Sequence, residues 1–196
     1  QQQNQTQNSM PAAKDATAAQ VVEQVIRMHT EPMMATQISQ WLEQFQQSAS
    51  AWNVVNQILS EGRAQDPTAA QQQEVVVYFA AQTLTRKVQS AALETASYDV
   101  STRLQELLKK FAETGPQTVL TQMCVAIAAL AAVDVKVDVQ QVLGWLAMVS
   151  GQSASHVLFE AMSRFPEEAL SDRIAITQES RAIYLNRLAQ SSNSVF

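Results

Sequence analysis

What this chain has little of narrows it first. Its 196 residues include four glycines and five prolines, too little punctuation for the many short strands of an all-β domain. The glycines never cluster, so no phosphate-cradling loop is present. A single cysteine, Cys124, excludes an intrachain disulfide framework and fits a reducing compartment. Charge is scarce too: 16% of residues are Asp, Glu, Lys or Arg, and Gln takes much of the polar role. A net charge of −5 without a clustered basic face argues against a nucleic-acid surface. Residues 1–30 contain no signal-peptide apolar core. No run reaches the roughly 18 apolar residues of a membrane span. The nearest, residues 119–133, is broken by Thr121 and Gln122. A soluble intracellular protein is expected.

What is there is helix. Ala, Gln, Leu and Val dominate, and apolar residues recur at helical spacing. Residues 1–15 read as a low-complexity tail led by a Gln/Asn tract. The segment 16–28 places Val21, Val22, Val25 and Met28 on one face, and Glu31-Pro32 breaks it. Residues 34–47 align Met34, Ile38, Trp41, Leu42 and Phe45. Ser48 and Ser50 supply a turn and an N-cap for 51–61, with Gly62 as its C-terminal stop. Asp66-Pro67 opens the longest helix, 68–90, whose length and period outweigh the β propensity of Val75–Val77. Ser101 is read as the cap of 102–113, and Gly115-Pro116 turns into 117–133. Segments 137–149 and 153–164 follow, and Phe165-Pro166 is expected to end the latter. Residues 167–178 read as an irregular connection in which Glu167-Glu168 favours the next helix N-terminus. A ninth helix spans 180–191.

First helices of successive pairs begin near residues 16, 50, 101, 137 and 180. That spacing averages roughly 40 residues, in the HEAT/armadillo range. The expected fold is therefore all-α: a HEAT-repeat α-solenoid, a right-handed superhelical stack of antiparallel helix pairs. About four and a half repeats fill residues 16–196. The last helix is unpaired and Val195-Phe196 is not a polar cap, so the chain is read as the amino-terminal part of a longer array.

Few residues invite chemistry. Trp52 and Phe45 sit on apolar stripes and are assigned to the core, whereas Trp41 can face its pair partner or the inner surface. Cys124 lies in the apolar run MCVAIAALAA and reads as a small core residue. Cys124 with His156 is the one nucleophile pairing available, and nothing else supports it. His29 and His156 fall in different pairs without metal-ligand spacing. No catalytic residue, metal or cofactor is expected. Gln82, Thr83, Arg86 and Lys87 fall on a turn of the longest helix away from Val75, Phe79 and Leu84.

Four stretches carry a family resemblance. They are Trp41-Leu42 through Phe45 with Ala51-Trp52; Phe79-Ala80-Ala81-Gln82-Thr83-Leu84 with Lys87 and Gln89; Thr121-Gln122 leading into Ala126-Ile127-Ala128-Ala129-Leu130-Ala131; and Phe165-Pro166-Glu167-Glu168 with Arg173-Ile174 downstream. In this order they resemble the amino-terminal repeats of the importin-β-like, or karyopherin, nuclear transport receptors, most of all the transportin-SR and importin-thirteen branch. Residues 34–90 are similar to the importin-β amino-terminal region and 101–196 to exportin/importin-like repeats. The likeness departs at the Ala64–Ala70 connection, which is longer than in that pattern.

The resemblance implies a receptor that binds the GTP form of the GTPase Ran and shuttles between cytoplasm and nucleus through the pore, contacting nuclear pore proteins. It implies that cargo, including Arg/Ser-rich proteins, is held by parts absent from this chain. Ran would lie against the second helices of the pairs, which makes Trp41, Gln82, Thr83, Arg86, Lys87 and Gln122 the candidate contacts. The alternative is a generic α-solenoid scaffold not regulated by Ran.

Overall fold

Helix ends explain where the chain folds back on itself. In a computed structural model, residues 10–62, 66–150 and 155–195 are described. They form nine α-helices: α1 (Ala18–Thr30), α2 (Ala35–Gln47), α3 (Ala51–Ser60), α4 (Pro67–Gln89), α5 (Val100–Thr114), α6 (Gln117–Val133), α7 (Val139–Ser150), α8 (Ser155–Leu170) and α9 (Gln178–Val195). Among the described residues there is no strand. Thr17 opens α1 with a capping box: its hydroxyl accepts from the Gln20 N–H, and the Gln20 side chain accepts from the Thr17 N–H. Asp66 caps α4 by accepting from the Ala69 N–H at 2.8 Å, and Pro67 takes the first turn, as the sequence led one to expect.

Several expected boundaries are corrected. Asp99, not Ser101, caps α5, because its carboxylate reaches the N–H groups of both Ser101 and Thr102. Ser50 does not cap α3: its own backbone is helical, and its hydroxyl donates to the Lys14 carbonyl at 2.7 Å. Gly62 does not take up the left-handed backbone of a C-terminal stop, and α3 ends through an extended Glu61. The left-handed residue is Ala91 (φ 58°), just past α4. Residues 10–15, placed in the tail by composition, lie on α2: a 3-10 turn forms at Ala13–Asp15, Ala13 is buried, and the Pro11 carbonyl accepts from Trp41 Nε1. The Gln/Asn tract lies outside the described residues.

The largest correction is Pro166, which does not end α8. The helix runs through it to Leu170. An interior proline forfeits one backbone bond and costs about 3 kcal/mol. Here Phe165, Glu168 and Ala169 of the last turn are all buried, and Arg181 from α9 donates to the carbonyls of Ala169 and Ser171 at 2.7 and 3.1 Å. Packing and an external cap hold a turn that local propensity disfavours. Glu167 and Glu168 therefore belong to the end of α8, not to the start of the next helix.

Helices pair as α1/α2, α3/α4, α5/α6 and α7/α8, and the second helices α4, α6 and α8 stack side by side. Apolar residues of α6 are covered by α4, α5, α8 and α9, which is why it is apolar nearly all round. Small residues let α4 approach it closely: Ala81 is buried, and Thr85 Oγ1 donates to the Gln122 carbonyl at 3.1 Å. Trp52 and Phe45 are fully buried, as expected. The Trp52 indole donates to Thr95 Oγ1 at 2.7 Å and meets Tyr98 edge-on. The described residues form an all-α, HEAT-like solenoid fragment.

Candidate functional site

Stacking of α4, α6 and α8 leaves a polar groove of about 900 Å³ along their shared face. Three elements supply its side chains. From α4 come Gln82, Arg86 and Gln89; from α6, Thr121 and Gln122; from α8 and the segment after it, Arg164, Glu167, Glu168 and Arg173. On α4 the row Glu74, Tyr78, Gln82 and Arg86 follows the four-residue ridge of a helix. Glu74 and Arg86 are exposed, Tyr78 is 37% exposed and Gln82 is half-buried.

The groove has one fixed end. Glu168 is buried and accepts from Gln89 Nε2 at 2.8 Å. The Gln89 carbonyl accepts from the Ala175 N–H at 2.9 Å. Together with buried Ile174, these bonds draw the segment between α8 and α9 across to the end of α4, and Arg173 arrives with it. Arg164 bridges its own helix, reaching Glu160 and Glu167, each at 2.7 Å. Hydrogen bonds to Glu160 and then Glu167 raise its pKa above the already high arginine value, so it stays charged. Arg86 is exposed and donates to Gln46 Oε1 at 2.7 Å, which fixes its guanidinium beside α2. Arg86, Arg164 and Arg173 meet Glu167 and Glu168 here, and Glu160 adds a further carboxylate on Arg164, so the groove carries both signs.

The six candidate residues divide evenly. Gln82, Arg86 and Gln122 line the groove. Trp41, Thr83 and Lys87 do not reach it. Trp41 is buried, stacks on Phe45 and donates to the Pro11 carbonyl at 2.6 Å. Thr83 is buried, donates to the Phe79 carbonyl and accepts from Gln46 Nε2. Lys87 is 7% exposed; its ammonium donates to the Ser48 carbonyl at 2.9 Å and sits 5.6 Å from the Trp52 ring centre. Burial pushes its pKa down. These three tie α2, α3 and α4 together.

Arg164, Glu167, Glu168, Arg173 and Gln89 were not among the candidates. One signal was readable: Glu160, Arg164 and Glu167 stand at helical i, i+4 and i+3 spacing across the Pro166 break. The pairing of Gln89 with Glu168 bridges 79 residues and leaves no local trace.

The arrangement suits reversible polar contact with a folded surface: amides that donate and accept, and guanidinium groups that bind carboxylates. Cys124 is buried in α6, and burial, then the Glu160 charge, push its thiol up to about 12, so no thiolate is available at neutral pH. His29 is exposed on α1, and the His156 side chain lies outside the described residues. Among the described residues no group of three or more His, Cys, Asp or Glu is placed to hold a metal. No described helix is long and apolar enough to cross a membrane.

No family model matches the chain. It is similar to Transportin MOS14 of Arabidopsis thaliana, 29% identical over 160 residues that make up 78% of this chain and 16% of that protein. It is also similar to the mRNA transport regulator MTR10 of Saccharomyces cerevisiae, 38% identical over 100 residues, 47% of this chain and 9% of that protein. The chain thus spans less than a fifth of either relative, and both carry transport in their names.

Proposed function

We propose that this chain is the amino-terminal part of a nuclear transport receptor of the importin-β superfamily, and that it binds the GTP form of Ran along the α4–α6–α8 groove. The observation that carries the reading is the meeting of Gln82 and Arg86 of α4 with Gln122 of α6, beside Arg164 of α8 and Arg173. Similarity to a transportin and to an mRNA transport regulator supports the receptor role. The transportin-SR and importin-thirteen branch is the nearest pattern. Contacts with nuclear pore proteins, Arg/Ser-rich cargo held by repeats outside this chain, and shuttling between cytoplasm and nucleus complete the proposal. No catalytic role is assigned.

Calorimetric titration of the chain with Ran loaded with GTP or GDP tests it. Preference for the GTP form is expected, with Arg86→Ala and Gln122→Ala each weakening binding by about 1–2 kcal/mol. Equal affinity for both forms would leave the scaffold reading, and no binding would remove Ran from the account.

A further inference from the structure

One candidate residue that stays out of the groove acts on another that lines it. Thr83 is fully buried, and its hydroxyl donates to the Phe79 carbonyl at 2.8 Å. That bond commits its one hydrogen, so toward any other group the Thr83 oxygen can only accept. Gln46, half-buried in the last turn of α2, supplies the donor: its Nε2 reaches Thr83 Oγ1 at 2.9 Å.

The Gln46 amide then has one orientation left. With Nε2 turned to Thr83, its Oε1 faces Arg86, whose Nη1 donates to it at 2.7 Å. The reverse orientation would set an amide NH2 against a guanidinium, two donors with no acceptor between them. Phe79 stacks on Phe45 with ring centres 6.5 Å apart, which holds together the two helices that carry the relay. A directed chain thus starts at a core carbonyl and ends at an exposed cation that lines the groove.

Arg86 enters this chain through Nη1 alone. Among the described residues its Nε and Nη2 make no hydrogen bond. That edge of a guanidinium can receive a carboxylate through two parallel bonds. We propose that Thr83 and Gln46 are positioning residues for Arg86, and that they hold its free edge ready for one Asp or Glu side chain of the partner. The rotamer freedom that a loose arginine loses on binding is here lost on folding, which favours association. The partner half of the inference rests on the Ran reading of the groove, whereas the relay stands without it.

NMR relaxation of the arginine side-chain nitrogens in the whole chain reads the relay with no partner present. Arg86→Lys identifies the Arg86 Nε–H signal by removing it. An order parameter above about 0.6 is expected for that signal, falling below it in Thr83→Val and regained in Thr83→Ser, which keeps the hydroxyl. Gln46→Leu breaks the same chain from its less buried member and should loosen Arg86 equally. Arg103, held elsewhere by Asn56 and Glu106, should not respond. Calorimetry with GTP-loaded Ran then reads the carboxylate. Thr83→Val and Gln46→Leu should each weaken binding about fivefold, with recovery in Thr83→Ser. Arg86→Lys, which keeps the charge and loses the edge, should weaken it about tenfold. An Arg86 signal as mobile in the parent as in Gln46→Leu overturns the relay, whatever Ran does. If Arg86 is held but Gln46→Leu or Arg86→Lys binds Ran like the parent, the positioning role is overturned. No binding of Ran to the parent, with Arg86 held, defeats the Ran reading and the partner carboxylate with it, and leaves the relay standing.

Discussion

Lys87 gives the sharpest test, because the sequence places it among partner contacts and the fold places it inside. Its ammonium donates to the Ser48 carbonyl at 2.9 Å and lies 5.6 Å from the centre of the Trp52 ring. Replacing it with Met keeps the aliphatic stem and removes the charge. A hydrogen bond from a charged donor contributes about 1.5–3 kcal/mol, and a cation over an indole about 0.5–2 kcal/mol. Against this stands the relief of desolvation, whose direction is plain from the lowered pKa. The lowered pKa says that this relief exceeds what the charge gains, so the remaining loss is the Ser48 carbonyl left without its donor, and Lys87→Met should destabilise the fold by about 1 kcal/mol. Urea unfolding followed by circular dichroism should show this as a midpoint lower by up to about 1 M.

Arg86 is the internal control. It is exposed and its one bond goes to the Gln46 side chain, so Arg86→Ala should stay within about 0.5 kcal/mol of the parent. Partner affinity should move the other way, falling for Arg86→Ala and holding for Lys87→Met in the folded fraction. A lysine whose folded pKa lies below 10.5 adds stability that is present above 10.5 and is lost as pH falls through the folded value. Lys87→Met should flatten that alkaline rise. If Lys87→Met unfolds at the parent midpoint and abolishes partner binding, Lys87 is a contact after all and its burial is irrelevant.

Pro166→Ala restores a backbone bond inside α8, where the last turn is already packed, and should stabilise the chain by about 1–3 kcal/mol in a thermal melt. Two glycines should respond with opposite signs. Gly144→Ala meets open space and should stabilise α7 by about 0.5–1 kcal/mol. Gly115→Ala puts a Cβ 2.7 Å from the Phe111 carbonyl oxygen, so it should cost about 1–3 kcal/mol. Burial raises the Tyr98 pKa from 10.0 to about 12, which means stability falls as pH rises between those values. Tyr98→Phe should lose about 1 kcal/mol at neutral pH, from its bond to the Trp52 carbonyl, and show a shallower alkaline decline.

Most of the fold could be read from the chain because its helices announce themselves by period. Val21 and Val25, or Ile38, Leu42 and Phe45, repeat at helical spacing and are all buried. The misreadings occur where tertiary packing overrides a local rule. Proline at 166 is a helix breaker by itself, and only the burial of Phe165 and Ala169 with the Arg181 cap explains its tolerance. The site was half legible for a geometric reason. Neighbouring residues on a helix point about 100° apart, so Arg86 and Lys87 cannot share a face. Period alone does not say which one looks outward, because α4 is packed against α1, α2, α3 and α6 at once. Only a narrow row of it stays open.

Hydrogen bonds in the groove separate what holds it from what a partner can use. Gln89 to Glu168 is buried, and removing either side chain would leave the other polar group without its partner and destabilise the fold. It locks the segment carrying Arg173 to α4 before any ligand arrives. The bond from Thr85 to the Gln122 carbonyl does the same between α4 and α6. Arg164 differs. Its pairs with Glu160 and Glu167 run along one helix, and Glu167 is 57% exposed, so each is worth only about 0.3–0.5 kcal/mol. A carboxylate from a partner can take over from Glu167 at little net cost, whereas nothing can replace Glu168 without loosening the fold. The groove is therefore a preformed frame with exchangeable charges, and an incoming surface need not order it first. Variants at Gln89 and Glu168 should change stability first, and those at Arg86, Gln122 and Arg164 should change affinity first.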